Sequence, residues 1–209
     1  MNKPTADSAA GEGMALLQAG KLRDAELRFR QVLSTDARDV QALIGLGIVA
    51  HQTGNFAPAV EMFDRALAVD PRQPAAHVNR GNALAAQHRF SEAVDAFRAA
   101  LAVSPGLPSA QVNLAGALHA LGRLDEAVAT LEQARAAQPD SPELINNLGN
   151  LYKDQGRLEQ SLACYDRALR LNPMMQQAFS NRLSALKVDT RISAAQLSLI
   201  HISEPTRPY

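Results

Sequence analysis

The chain has no tryptophan, a single cysteine and an aromatic content of only 4%. Without bulky rings one large globular core is hard to fill, even though 46% of the residues are hydrophobic. Much of that fraction is alanine, and small apolar side chains favour thin layers of closely packed helices. The lone thiol, Cys164, excludes an internal disulfide framework. It falls inside an apolar helical pattern, which predicts a packed structural residue.

An excess of charge is missing too. Lys plus Arg and Asp plus Glu each number 21 and no basic run occurs, so the electrostatic footprint of a nucleic-acid binder is lacking. No stretch is long and apolar enough to span a bilayer, and residues 1–8 hold no apolar core of signal-peptide length. Membrane insertion is therefore not expected, and a cytoplasmic location is the default. Glycine-rich phosphate loops, paired-carboxylate pockets and nucleophile arrangements are also lacking, so neither a catalytic residue nor a cofactor is expected.

What the chain does have is a period. Pro71, Pro105, Pro139 and Pro173 recur every 34 residues without insertion or deletion, and Ala37 holds the same place one interval earlier. Framing at Ala6, Val40, Pro74, Pro108 and Pro142 gives five complete copies, over residues 6–39, 40–73, 74–107, 108–141 and 142–175, after a tail of residues 1–5. Self-similarity at such an interval predicts stacked supersecondary units.

Each copy predicts two helices. In the second half a large residue, Phe29, Phe63, Phe97, Leu131 or Tyr165, stands four after a small one: Ala25, Ala59, Ala93, Ala127 or Ser161. Three further on come Val32, Ala66, Ala100, Ala134 and Ala168, completing one helical face. In the first half Gly13, Gly47, Gly81, Ala115 and Gly149 precede Leu16, Ala50, Leu84, Leu118 and Tyr152 by three. Between the halves Gly20, Gly54, Gly122 and Gly156 mark a turn that suits a left-handed residue, with His88 as the exception. A bulky residue follows, Leu22, Phe56, Phe90, Leu124 or Leu158, and Ser91 and Asp125 are the expected N-caps of their second helices. Pro74, Pro108 and Pro142 are placed to open first helices, with Ser141 capping the last of these.

This register of small, aromatic, small and proline resembles the tetratricopeptide repeat over residues 6–175. The resemblance implies an all-α fold: a right-handed α-solenoid of five helical hairpins. The first helices line a groove that holds a partner protein or an extended peptide. Residues 176–188 repeat the first-helix pattern alone and are expected to form a C-terminal capping helix. Arg182, standing where earlier copies have Leu114 and Leu148, suits a half-exposed end. Residues 189–209 are left as a tail.

The groove strip has one regular polar feature. Asn79, Asn113, Asn147 and Asn181 occupy the sixth position of four successive copies, with Gly11 and Gly45 in the first two. A carboxamide offers both a donor and an acceptor, so a row of them suits the backbone of an extended peptide whatever its sequence. These four are the candidate peptide-binding residues. The same groups can instead bond locally, between neighbouring helices.

Such a ladder is similar to the groove of O-linked N-acetylglucosamine transferases. Residues 180–193 are similar to that family's junction into its catalytic half, with Val188, Asp189 and Thr190 where the family usually has Tyr-Asp-Pro. The resemblance implies an alternative reading, the substrate-recognition part of a larger glycosyltransferase. A different groove of the repeat family clamps a C-terminal carboxylate with Lys and Arg. One position ahead of the Asn row stand Ile44, Val78, Val112 and Asn146, none of which supplies that charge. Histidines offer no metal site: His51 and His119 lie two copies apart, and His77 and His88 have no ligand-spaced neighbours.

From Leu197 to Arg207 the sequence breaks with everything before it and resembles the translation of a transposase adapter used in shotgun sequencing. This segment is expected to be foreign, and the natural chain to continue past Gln196.

Overall fold

A computed structural model of the chain describes residues 6–188, so the adapter-like segment from Leu197 lies outside the described residues. The described residues form eleven helices: α1 (Ala6–Gln18), α2 (Leu22–Thr35), α3 (Val40–Gln52), α4 (Phe56–Val69), α5 (Pro74–Ala86), α6 (Phe90–Val103), α7 (Pro108–Ala120), α8 (Leu124–Ala137), α9 (Pro142–Asp154), α10 (Leu158–Leu171) and α11 (Gln176–Val188). The first helices of the second to fifth repeats start at Val40, Pro74, Pro108 and Pro142. No strand occurs among the described residues.

Local chemistry sets the boundaries. Pro74, Pro108 and Pro142 sit in the first turn of α5, α7 and α9, where a missing N–H removes no helical bond. Ser141 accepts from the Leu144 N–H at 3.3 Å, and Asp39 likewise accepts from Ala42 at 2.7 Å. Ser91 and Asp125 do not cap their helices. α6 and α8 begin at Phe90 and Leu124, two residues earlier than those caps would set, so Ser91 and Asp125 lie inside the first turn, and Asp125 accepts from Gln155 Nε2 at 2.8 Å instead. The turns between paired helices place Gly20, Gly54, Gly122 and Gly156 at φ between 72° and 78°, and His88 takes the same left-handed backbone at φ 59°. The connections between repeats close differently. Asp36, Asp70 and Asn172 each accept from the backbone N–H two residues on, a side-chain mimic of a backbone turn.

The chain divides into two compact units, residues 1–122 and 123–209, and the division falls inside the fourth repeat. In the first unit each helix packs on the next from α1 to α7, and the first helices of successive repeats also meet: α1 with α3, α3 with α5, α5 with α7. A layer of first helices is thus backed by a layer of second helices. Aromatic rings from the second layer are seated on glycine backbone in the first. A Cβ added to Gly47 or Gly81 would stand 2.5 Å from Phe63 Cε1 or Phe97 Cε1. Phe29 is held from both sides, by Gly13 of its own repeat and Gly45 of the next. Phe29, Phe63 and Phe97 are at most 1% exposed, and burying such a ring contributes roughly 1.5–3 kcal/mol.

In the second unit α8 meets α9, α9 meets α10 and α11, and α10 meets α11. Gly149 admits the Tyr165 ring, an added Cβ standing 2.7 Å from its Cε1. Cys164 is buried, and desolvation raises its thiol pKa, as befits a packing residue. Arg182 on α11 donates through Nε to Asp166 Oδ1 at 2.5 Å. Arg80 in the first unit makes the same bond to Asp64 at 2.6 Å, in the same register and well inside the stack. Arg182 is half-exposed and takes part in an ion pair that recurs between a second helix and the following first helix.

Candidate functional site

The first helices keep one face clear of their partners. On α5 this face carries Ala75, Asn79, Asn82 and Ala86, and on α7 it carries Ser109, Asn113, Gly116 and Ala120, all of them exposed or half-buried. The spacing of four, three and four is a single helical stripe. On α3 the stripe runs through Gln41, Ile48 and Gln52, but its sixth position, Gly45, is buried under the Phe29 ring. The row of sixth positions is thus not uniform, and the second repeat contributes no side chain to it.

Within the first unit the carboxamides split into two kinds. Asn113 Nδ2 donates to Asn82 Oδ1 at 2.8 Å, joining α7 to α5. Asn79 is half-buried and has no hydrogen-bond partner among the described residues. The bridge leaves both Asn82 N–H groups, the second Asn113 N–H and the Asn113 carbonyl oxygen uncommitted to it, the same donor and acceptor types as a peptide group.

The second unit repeats the division with a different partner. Asn181 Nδ2 donates to Asn146 Oδ1 at 3.0 Å, joining α11 to α9, while half-buried Asn147 has no hydrogen-bond partner among the described residues. Asn150 is the counterpart of Asn82, but it already accepts from the Tyr165 hydroxyl at 2.7 Å. Where Phe97 stands in the third repeat, tyrosine stands here, and its hydroxyl bonds the Asn150 oxygen while the next Asn of the row, Asn181, bonds Asn146. Asn82, Asn146 and Asn150 are not part of the row read from the sequence. The signal for two of them was present, since Asn82 and Asn150 share the ninth position two repeats apart.

Other expectations resolve as follows. Ile44, Val78 and Asn146 are buried, so the position ahead of the row packs inside the stack instead of facing a ligand. The His51 ring lies edge-on to Phe56 with centroids 5.4 Å apart, and His88 lies edge-on to Phe90 at 5.7 Å. His77 Nε2 lies 2.9 Å from the Pro71 carbonyl oxygen, tying the start of α5 to the preceding turn. Among the described residues no group of three or more His, Cys, Asp or Glu is placed to hold a metal ion, and no helix is long and apolar enough to cross a membrane. Tyr152 in the second unit lies under the Arg157 guanidinium, 4.4 Å from its ring centroid, and its hydroxyl donates to Glu132 at 2.5 Å. Burial, followed by that carboxylate, pushes its pKa up to about 12.

Comparison with known proteins agrees with this architecture. Tetratricopeptide-repeat profiles match residues 11–76, 52–108, 84–146 and 142–175. The chain belongs to the tetratricopeptide-repeat family. Among solved structures, a thermophilic tetratricopeptide-repeat protein of Thermus thermophilus, TTC0263, is 26% identical, with 88% of this chain and 100% of that one covered at a TM-score of 0.68. PilF of Pseudomonas aeruginosa is 20% identical over 96% of this chain and 93% of its own, with a TM-score of 0.77. YrrB, described as having an unusual peptide-binding site, is 20% identical over 84% of this chain and 91% of its own, with a TM-score of 0.71. The last two show the fold. No curated protein matches the sequence.

Proposed function

We propose that the chain is a non-catalytic interaction scaffold that holds an extended polypeptide by its main chain, through carboxamides on the first helices of its repeats. The observation that carries this reading is the state of Asn79 and Asn147. Each is half-buried on the first helix of its repeat, in its own compact unit, with donor and acceptor unused among the described residues. Neither carboxamide is among the buried polar atoms left without a partner, so both are open to solvent and a ligand backbone takes the place of water on them. Asn113 and Asn181 stand differently, because each already bridges two helices with one N–H and offers a ligand the other N–H and its carbonyl oxygen. The peptide-binding site described for YrrB lends the reading support at the level of fold.

The test uses short random peptides selected by phage display on the full chain, then synthesised and measured by fluorescence anisotropy. Asn79→Ala and Asn147→Ala are expected to weaken binding about two- to tenfold for each lost bond while leaving the melting temperature nearly unchanged. Replacing the contacted backbone amide of the peptide by an ester should cost the wild type and spare the variant. Unchanged affinity in both variants would overturn the assignment. The alternative of a transferase's substrate-recognition part rests on the resemblance of residues 180–193, of which 189–193 lie outside the described residues. Genomic sequence past the codon for Gln196 tests it directly: a glycosyltransferase region there would replace the free-standing scaffold with that reading.

A further inference from the structure

From α2 to α7 charge is divided between the two layers of the first unit, whereas α1 carries Asp7 and Glu12. The second-layer helices α2, α4 and α6 carry five, three and three charged residues. The first-layer helices α3, α5 and α7 carry a single one, Arg80, whose Nε donates to Asp64 Oδ1 on α4. The clear stripe of these three helices therefore presents methyl groups, carboxamides and an aliphatic chain, represented by Ala75, Ile48, Asn79 and Asn113. Gly116 leaves open space on the same stripe, nothing lying within 4 Å of an added Cβ. The first helix of the second unit differs, since α9 carries Glu143, Lys153 and Asp154.

We infer that the face formed by α3, α5 and α7 selects an extended segment whose contacting side chains bear no charge. The inference rests on the peptide-scaffold reading above and adds the chemistry of the ligand to it. A Lys, Arg, Asp or Glu pressed onto this face loses hydration and meets no fixed counter-charge, which penalises charged segments. Uncharged side chains lose little and gain contact with Ile48 and the alanines, while the carboxamides serve the main chain. Because no ion pair contributes, affinity is independent of salt.

The experiment takes the peptides selected on the full chain and measures them at about pH 8, where free imidazole is neutral. Raising salt from about 0.05 to about 0.5 M is expected to change affinity less than about twofold. A Glu or a Lys placed centrally in a peptide that binds through Asn79 is expected to weaken it at least about tenfold. A75E/S109E adds carboxylates at two exposed first-turn positions, where acidic residues are tolerated by the helix dipole. That variant should acquire a preference for Lys-bearing peptides that fades with salt. Wild-type binding that depends on Asn79 yet tolerates central charges, or weakens steeply with salt, overturns this inference and leaves the scaffold reading standing. Selected peptides that bind without regard to Asn79 overturn the scaffold reading for this unit and this inference with it.

Discussion

The carboxamide of Asn113 donates to Oδ1 of Asn82 across 2.8 Å, so that a residue in the candidate binding row is also a strut between α7 and α5. Asn113→Ala should lower stability by about 0.5–1.5 kcal/mol, the net value of a hydrogen bond whose partner stays partly buried. Asn79→Ala, with no bond to lose, should not. Thermal melting of the two single variants checks this, and equal losses would mean that the distinction drawn between them is wrong.

Two glycines in the same layer should respond in opposite ways to alanine. A Cβ at Gly81 would stand 2.5 Å from the Phe97 ring, so Gly81→Ala is expected to cost about 1–3 kcal/mol by overpacking. Gly116 lies mid-helix with open space around it, and Gly116→Ala should gain up to about 1 kcal/mol from helix propensity. Urea denaturation of both variants tests the pair.

His88 pays for its place in a turn where four other repeats use glycine. With φ at 59° it carries a left-handed backbone that costs a residue with a Cβ roughly 1–2 kcal/mol. His88→Gly removes that strain but gives up the edge-on contact with Phe90 and adds freedom to the unfolded chain. A net gain of about 0.5–1 kcal/mol is expected, read as a higher denaturation midpoint. A loss would show that the ring contact outweighs the backbone.

The second unit should be sensitive to alkali. The folded-state pKa of Tyr152 is about 12, above the unfolded value of 10.0, because burial and Glu132 disfavour its phenolate. The neutral ring's contribution is complete below the unfolded value and is lost as pH rises through the folded one. Melting temperature should therefore fall between pH 10.0 and about 12. Tyr152→Phe should melt lower at neutral pH, having lost the Glu132 bond, and should show a shallower alkaline decline. An equally steep decline in the variant would assign the effect to other groups.

Much of the fold was legible because its punctuation is chemical. Prolines at a first helical position, glycines at left-handed turns and the aromatic set on one helical face each act within a few residues of themselves, so a period of 34 carried them intact. The start of the second helices was misread at Ser91 and Asp125 because those residues have capping chemistry. The backbone enters the helix two residues sooner, at the N-caps Arg89 and Arg123, whose side chains make no capping bond. The candidate site was legible as a row but not as a set of bonds. Asn113 bonds the ninth-position Asn82 of the repeat before it, whereas Asn181 bonds the fifth-position Asn146, and the row alone does not carry that difference. Arg182 was likewise read alone, whereas its meaning lies in Asp166, sixteen residues earlier on a different helix.

The seat of Phe29 between Gly13 and Gly45 bears on how such a gene can be rearranged. The third to fifth repeats place asparagine where the second places Gly45, so a duplication or fusion that set the third repeat directly behind the first would bring the Cβ of Asn79 up to a ring that only glycine now admits. The first two copies are in this sense a matched couple and not exchangeable beads. Recombination that keeps residues 6–73 together inherits the fit, and recombination that parts them must supply a smaller residue in place of the ring.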